Sequence, residues 1–180
     1  MMPPLSTIRL CLRPVELKDV NGISSIVNDP LFARASIGCQ MPVSDMQLLR
    51  WVISQQKQHQ SGNCCCYTIR RTAEENLIGL VSLQQPENHA DCSYRADLSY
   101  WLQPMYWRQG LMTEAVTAVM QQWLTLHPQS IITANSHSNN LASQALLQRV
   151  GMRLAETDET NKEGIRHYIS SAGGSSDIIF

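Results

Sequence analysis

Apolar and polar residues alternate near the start of the chain and predict its first strand. Over residues 7–13, Ile8, Leu10 and Leu12 alternate with polar or small side chains, and Pro14 follows. Residues two apart lie on the same face of a strand, so this pattern is typical of a strand with one buried side. Because a proline has no N–H group with which to extend the pairing, we expect the strand to end there.

Apolar residues at helical spacing predict two helices after this strand. The first covers residues 16–27 and the second covers residues 44–58. Ser44 and Gln47 open the second helix at the spacing of a capping box, in which each side chain bonds the backbone N–H of the other residue. Both helices are expected to bury one apolar face against a sheet.

The middle of the chain predicts an antiparallel meander. Residues 64–71, 77–85 and 91–102 are rich in residues that favour strands. The polar residues 72–76 join the first two of these segments at a length that is typical of a hairpin. These segments are the second, third and fourth predicted strands.

The hydrophobic period changes to that of a helix from residue 111 to about residue 127. A strand, a helix closed by Gly151 and two more strands are then predicted over residues 130–134, 141–150, 152–157 and 165–170. The order is therefore β, α, α, β, β, β, α, β, α, β, β, with residues 130–134 as the fifth strand. The end of the chain, residues 170–180, is rich in Ser and Gly and is expected to be a frayed tail.

The composition places the chain among compact globular proteins. It has 180 residues, 43% of them hydrophobic and 16% charged, which suits one domain over residues 1–180. The formal net charge is -1, so no overall positive field would attract a nucleic acid. The sequence has neither an apolar run long enough for a membrane span nor a signal-peptide pattern. We therefore expect a cytoplasmic monomer or homodimer without nucleic-acid or membrane partners.

The six cysteines do not have the spacing of a metal site or of a disulfide framework. Cys64, Cys65 and Cys66 are consecutive in a predicted strand, where neighbouring side chains point to opposite faces. The sequence contains no CxxC pair and no combined Cys and His ligand spacing. It therefore predicts reduced thiols and no bound metal.

Residues 100–115, YWLQPMYWRQGLMTEA, lead from a strand into a helix through a glycine. The first backbone N–H groups of a helix lack internal partners and, together with the helix dipole, they favour phosphate groups. Gly110 permits close approach of a ligand, Arg108 adds positive charge, and Thr113 can cap the helix or donate to a phosphate. An ordinary strand-to-helix connection has the same features. The sequence lacks GxxxxGKS/T and GxGxxG, which excludes P-loop and Rossmann sites.

Three segments carry motifs in one consistent order. Residues 10–19 fit LxLRPxxxxD, residues 96–115 are similar to a strand and turn often written YWLxPxYWGxGxATEA, and residues 140–151 fit NxASxxxLxxxG. Together these segments span nearly the whole chain. In them the chain resembles the GCN5-related N-acetyltransferase (GNAT) superfamily, and within it the ribosomal-protein alanine N-acetyltransferases, which modify protein N-termini.

Two positions depart from the superfamily pattern R/QxxGxG/A, which falls on residues 107–112. Trp107 stands at the first position and Met112 at the last. Trp is usual at the first position in this branch, and Met112 still contributes its backbone N–H. The resemblance therefore implies a cofactor site over these residues.

The resemblance implies an α/β fold of the α+β kind, with a mixed, mostly antiparallel sheet of about seven strands flanked by about four helices. The fourth and fifth predicted strands would splay apart in a V that holds acetyl-CoA. Main-chain groups of Trp101, Leu102 and Gln103 would pair with the pantetheine arm, and a backbone N–H near Leu102 would face the thioester oxygen. The other implied cofactor-binding residues are Trp107, Arg108, Gln109, Gly110, Leu111, Met112, Thr113 and Asn140, which could also be a helix N-cap.

The resemblance also implies which residues carry the chemistry. Ser143 would provide the proton for the leaving thiolate, although a serine here could simply cap or pack the helix. Asp97 would take a proton from the amine, although an Asp on a strand is often solvated or paired, here with Arg95. Glu159 and Glu163 are alternative bases, because the loop before the last strand lines the acceptor side in this branch.

The expected function is transfer of an acetyl group from acetyl-CoA to a primary amine, in the first place the α-amino group of a protein or peptide N-terminus. A small amine such as a polyamine, an amino acid or an antibiotic is an alternative acceptor. A non-catalytic acyl-CoA-binding module is a third possibility. A peptide acceptor favours an open groove with acidic residues near the amine, whereas a small acceptor favours a closed pocket.

Overall fold

The computed structural model describes residues 3–35, 43–72, 74, 76–86, 95–155 and 164–170, with the side chains of residues 33–35 left aside. Within these residues the chain forms eight strands and five α-helices. The strands are β1 (Leu5–Ser6), β2 (Leu10–Pro14), β3 (Cys64–Arg71), β4 (Leu77–Gln84), β5 (Arg95–Leu102), β6 (Ile131–His137), β7 (Met152–Leu154) and β8 (Ile165–Ser170). The helices are α1 (Val20–Val27), α2 (Pro30–Ala35), α3 (Asp45–Ser61), α4 (Leu111–Leu126) and α5 (Leu141–Arg149).

The strands form one open sheet in the order β1-β2-β3-β4-β5-β6-β8-β7. Every neighbouring pair is antiparallel except β5 and β6, which are parallel and are connected through α4. The predicted mixed, mostly antiparallel sheet is confirmed. The structure adds β1 and α2, so the expected seven strands and four helices become eight and five in the described residues. Elements of two and six residues are too short to leave a hydrophobic period in the sequence.

The parallel pair β5 and β6 is joined over only part of its length. Paired positions run from Arg95 with Ile131 to Leu98 with Ala134, and β5 then continues to Leu102 while β6 continues to His137. On its other side, β5 stays paired with β4 as far as Leu102. The sheet therefore opens on the β6 side of β5, where the V was expected.

The two faces of the sheet are covered by different helices. On one face α4 and α5 bury a large apolar cluster that includes Trp123, Leu147 and Leu98. On the other face α1 and α3 pack on Cys64 and Cys66 with a second apolar cluster. Because side chains alternate along β5, this strand contributes to both layers.

The longer helices begin and end where local chemistry predicts. In α3, the Gln47 N–H donates to Ser44 Oγ at 3.3 Å and the Ser44 N–H donates to Gln47 Oε1 at 2.8 Å, which confirms the predicted capping box. Gly62 ends this helix in the left-handed conformation, with φ +81°. In the described part of the chain, none of the helices is long and apolar enough to cross a bilayer.

The consecutive cysteines are buried in β3. Burial raises the pKa of Cys64 and of Cys65 to about 12, and it also raises the pKa of the Cys66 thiol. All four cysteines that the structure describes, these three and Cys11, are free thiols. The neutral thiol form therefore dominates at physiological pH, and Cys64 to Cys66 act as small apolar core residues.

A buried ion pair connects the start of α1 to the sheet. The Arg70 Nη2 atom lies 2.6 Å from Asp19 Oδ1, and both side chains are buried. Arg70 also donates to Thr68 Oγ1, and the second carboxylate oxygen of Asp19 accepts from the Glu16 N–H at 2.9 Å. A buried charge needs such partners, so removing one of them leaves the other charge uncompensated.

We predict that Arg70→Met lowers the free energy of unfolding by about 3–5 kcal/mol, because the Asp19 charge stays buried without its partner. The double variant with Asp19→Asn should recover part of this loss. Lys18→Met is the matched control, since Lys18 forms an exposed pair with Glu16 whose removal should cost less than about 1 kcal/mol. Urea unfolding measures all three changes. An Arg70→Met loss no larger than that of Lys18→Met would contradict the prediction.

Candidate active site

A cavity of about 760 Å³ lies where β5 and β6 separate. Its walls come from β4, β5 and β6, from the start of α5, and from the layer formed by α1, α2 and α3. Asp97, Ser143, Asn140 and Trp101 line it, so four residues predicted for the site meet there. The cavity therefore brings both predicted catalytic residues to the opening in the sheet.

Ser143 lies in the first turn of α5, next to the N-cap residue Asn140. The Ser143 N–H donates to Asn140 Oδ1 at 3.1 Å, so Asn140 is an N-cap, the alternative role that the sequence allowed. Asn140 also lines the cavity, so capping leaves its contact with a ligand possible. The cap fixes the start of α5 and with it the position of the Ser143 hydroxyl.

The Ser143 hydroxyl is hydrogen-bonded to Tyr100, a residue that the sequence analysis did not select. Tyr100 Oη lies 2.8 Å from Ser143 Oγ and 3.4 Å from the Ser143 carbonyl oxygen. Burial raises the pKa of Tyr100 to about 12, although its hydrogen bond with the Ser143 side chain lowers this pKa in part. Tyr100 is therefore a neutral hydroxyl at physiological pH. The alternation along β5 places it on the face opposite Asp97, but only the folded chain places it beside α5.

Asp97 lies on β5 just before the end of its pairing with β6. Its carboxylate accepts a hydrogen bond from Thr133 Oγ1, and Thr133 is its register partner on β6. Within the described residues this threonine, rather than Arg95, is the partner of Asp97. The side chain is exposed and lines the cavity together with Ser99 and Trp101, which share its face of β5. Asp97 can thus meet a ligand that enters from the α1–α3 side.

Main-chain groups of β5 face the opening at alternate residues. The Gln103 N–H donates to the Ile78 carbonyl at 2.8 Å and so points toward β4. Since N–H groups alternate between the two edges of a strand, those of Tyr100 and Leu102 point toward the opening. Of the three residues predicted to pair with pantetheine, Leu102 therefore presents its N–H there, whereas the Gln103 N–H is already bonded away from it. The Leu102 carbonyl accepts from Trp107 Nε1 at 2.6 Å, so Trp107 holds the end of β5 in place.

The turn before α4 contains two residues in the left-handed region. Arg108 has φ +60° and Gly110, the N-cap, has φ +74°. Helix geometry leaves the N–H groups of residues 111–113 without intrahelical acceptors, and this turn directs them out of the helix end. Leu111 and Met112 bury their side chains in the core. The large Met112 side chain is therefore directed into the core and leaves its N–H at the helix end.

Arg9 and Glu114 hold this turn against the start of the sheet. Arg9 Nε lies 2.7 Å from Glu114 Oε2, and Arg9 Nη1 donates to the Gln109 carbonyl at 2.8 Å. Thr7 Oγ1 donates to Glu114 Oε1 at 2.5 Å. Partial burial raises the pKa of Glu114, but the hydrogen bonds from Thr7 and Arg9 outweigh it and hold this pKa below its usual value. The ion pair therefore persists at neutral pH and fixes the turn.

Several of the sequence predictions, including the tail at residues 171–180, fall outside the described residues. Glu159 and Glu163, the alternative bases, are among them. Residues 36–42, between α2 and α3, also lie outside them, whereas Phe32 of α2 lines the cavity. Asp97 is thus the candidate base that the described residues place at the opening.

Comparison with known proteins places this geometry in a family. Residues 9–153 match the acetyltransferase (GNAT) domain. The chain is 26% identical over 175 residues to the uncharacterized N-acetyltransferase YoaA of Bacillus subtilis (strain 168). These residues are 96% of this chain and 92% of that protein.

Solved structures share the fold over nearly the full length. The ribosomal alpha-N-protein acetyltransferase RimL in complex with coenzyme A has a TM-score of 0.77 at 20% identity, covering 96% of this chain and 98% of that chain. A ribosomal-protein-alanine acetyltransferase from Vibrio fischeri also has a TM-score of 0.77, at 16% identity over 96% and 97% of the two chains. The acetyltransferase MccE in complex with acetyl-CoA and AMP has a TM-score of 0.73, at 16% identity over 91% and 93%.

The family match extends over most of the chain and includes β2 to β7, the turn before α4 and the start of α5. These are the elements that build the opening and its cavity. The chain therefore belongs to the GNAT family and is an N-acetyltransferase.

Proposed function

We propose that this protein transfers the acetyl group of acetyl-CoA to the α-amino group of a protein or peptide N-terminus. The observation that carries the proposal is the opening between β5 and β6. It has the Tyr100 and Ser143 hydroxyls on one face and the Asp97 carboxylate on the other. This arrangement provides a proton donor and a proton acceptor on opposite sides of one site.

The residues at the opening fit acetyl-CoA. The N–H groups of Tyr100 and Leu102 can bond the amides of an extended pantetheine arm, as a neighbouring strand would. The first-turn N–H groups of Leu111, Met112 and Thr113 suit its diphosphate, with positive charge from Arg108. Trp101, Gln103, Trp107 and Gln109 would shape this site, and Asn140 would contact the cofactor beside Ser143.

Ser143 would hold the proton that the departing sulfur needs. Acetyl-CoA, when bound, supplies an activated acetyl group whose C–S bond breaks as the C–N bond to the amine forms. Ser143 Oγ can donate toward the opening while it accepts from the neutral Tyr100 hydroxyl. Tyr100 is thus a positioning residue that fixes the direction of the Ser143 proton. A backbone N–H in β5 would stabilise the negative charge that develops on the carbonyl oxygen.

Asp97 would remove the proton from the incoming amine. An α-amino group has a pKa near 7.7–8.0, so most of it is charged and unreactive at neutral pH. Asp97 has one oxygen held by Thr133, and its side chain is exposed to the cavity. It can therefore attract the ammonium group and accept a proton directly or through water.

The acceptor class is supported by proteins that share the fold. RimL and the Vibrio fischeri enzyme act on ribosomal proteins by their descriptions, and they share this fold over almost the whole chain. A small amine is the second candidate, because the microcin C7 self-immunity acetyltransferase MccE shares the fold. The Tyr100–Ser143 hydrogen bond argues against a module that only binds acyl-CoA, because binding alone does not need an oriented proton donor.

We predict that Ser143→Ala lowers kcat about 10²–10⁴-fold and leaves the Kd for acetyl-CoA within about twofold, because the hydroxyl acts only as the bond to sulfur breaks. Thiol release with N-terminal peptides measures kcat, and calorimetry measures Kd. Ser99→Ala is the matched control, since Ser99 lines the cavity on the other face of β5.

Tyr100→Phe distinguishes positioning from packing, because it keeps the ring and removes only the hydroxyl. It should lower kcat about tenfold with little change in KM. The wild-type pH profile should show no loss from tyrosine ionisation below about pH 11, since the pKa of Tyr100 is raised to about 12.

For the Ser143→Ala variant, equal losses of kcat and of acetyl-CoA binding would contradict the prediction and make Ser143 a structural residue.

We predict that Gly110→Ala weakens acetyl-CoA binding about tenfold or more, because a side chain at φ +74° strains the turn that presents the N–H groups. Its Cβ would make only an ordinary contact, 3.5 Å from Arg9 Nη2, so the effect comes from the backbone conformation. Gly62→Ala is the matched control, with φ +81° and open space around its Cβ at the end of α3.

Both glycine variants should lose about 1–2 kcal/mol of stability from the left-handed conformation. Only Gly110→Ala should lose cofactor affinity, measured by calorimetry on the folded proteins. Similar affinities of the two variants for acetyl-CoA would show that this turn is not part of the cofactor site.

A further inference from the structure

The wall of the cavity on the α1–α3 side is made of large aromatic and aliphatic side chains. Phe32 from α2, Trp51 from α3 and Trp101 from β5 line it, together with Ile23, Leu48 and Leu80. The Phe32 and Trp101 rings are in edge-to-face contact, with centroids 5.5 Å apart and planes at 63°. These three aromatic side chains are only half-buried, so they present apolar surface to whatever enters the cavity.

The described lining of this cavity carries little charge. Asp97 is the one carboxylate among the described residues that line it, and the described lining contains no Lys or Arg. The described lining can therefore balance one positive charge, and it has no partner for a carboxylate.

The position of the single charge relative to the aromatic wall defines the acceptor. Asp97, Ser99 and Trp101 follow one another at every second residue on the same face of β5. At about 3.3 Å per residue, Trp101 lies roughly 13 Å from Asp97 along the strand. The Trp101 and Phe32 rings can therefore contact the substituent of an amine that Asp97 holds, rather than the amine itself. A cavity of about 760 Å³ has space for a bulky group there as well as for the end of the pantetheine arm.

We infer that the acceptor is an α-amine whose own side chain is large and apolar or aromatic, such as an N-terminal Phe, Trp, Leu or Met. This inference rests on the proposed function and narrows it. A small first residue such as Ser or Ala would leave the aromatic wall uncovered. A polyamine would bring charges for which the described lining has no partner.

The experiment compares peptides that differ only in their first residue, X-Gly-Gly amides with X as Phe, Leu, Ala or Ser, and includes spermidine. Thiol release gives kcat/KM for each, and mass spectrometry identifies the acetylated nitrogen. We expect kcat/KM to be about 10- to 100-fold higher for Phe and Leu than for Ala and Ser, with spermidine lowest.

Variants of the wall test where the preference arises. Trp51→Leu and Phe32→Leu should each lower the ratio of kcat/KM for the Phe peptide to kcat/KM for the Ala peptide by about tenfold. Ile53→Ala is the control on α3, because Ile53 is 42% exposed and does not line the cavity. Since the peptide series uses the unaltered protein, its result holds even if a wall variant folds poorly.

Two outcomes overturn the inference in different ways. Acetylation that is as fast for Ala, Ser or spermidine as for Phe would contradict the acceptor class while supporting acetyl transfer to amines. Bound acetyl-CoA without thiol release for any amine would contradict the proposed function itself, and the inference with it.

Discussion

Main-chain hydrogen bonding joins β5 to β6 for four residue pairs and then ends, although both strands continue. Beyond Leu98, the backbone N–H groups of Tyr100 and Leu102 face a gap instead of a strand. A backbone polar group that is removed from water needs a hydrogen-bond partner. An extended ligand with amide groups, such as pantetheine, can complete this edge. The rest of the site depends on that gap, because β5 and the start of α5 bring their reactive side chains to it.

The structure keeps the gap open by holding its borders rigidly. On β4, Gly79 allows such close approach that a Cβ there would lie 2.4 Å from the Trp101 carbonyl oxygen, so β4 and β5 stay tightly paired. The Arg9–Glu114 ion pair fixes the turn before α4 to the chain ahead of β2. The two faces of β5 then separate the side chains of the proposed mechanism. The Tyr100 and Ser143 hydroxyls lie on the side of α4 and α5, and the Asp97 carboxylate and the aromatic wall lie on the side of α1, α2 and α3.

The sequence predicted what local patterns encode and missed what tertiary packing creates. Hydrophobic periods predicted the long elements, and the motifs predicted the turn at Gly110 and the serine of α5. The Tyr100–Ser143 hydrogen bond joins residues 43 apart, and the Arg9–Glu114 pair joins residues 105 apart. No local period indicates such partners. Alternation along β5 accounts for the opposite faces of Asp97 and Tyr100, but it could not identify Thr133 as the residue that bonds Asp97.

A crystal structure of the protein with coenzyme A tests the central claim most directly. We expect the pantetheine arm between β5 and β6, with its amides bonded to the N–H groups of Tyr100 and Leu102. The diphosphate should lie against residues 111–113, and the sulfur should lie beside Ser143. Coenzyme A bound elsewhere on the protein, or no bound coenzyme A at a saturating concentration, would contradict the account.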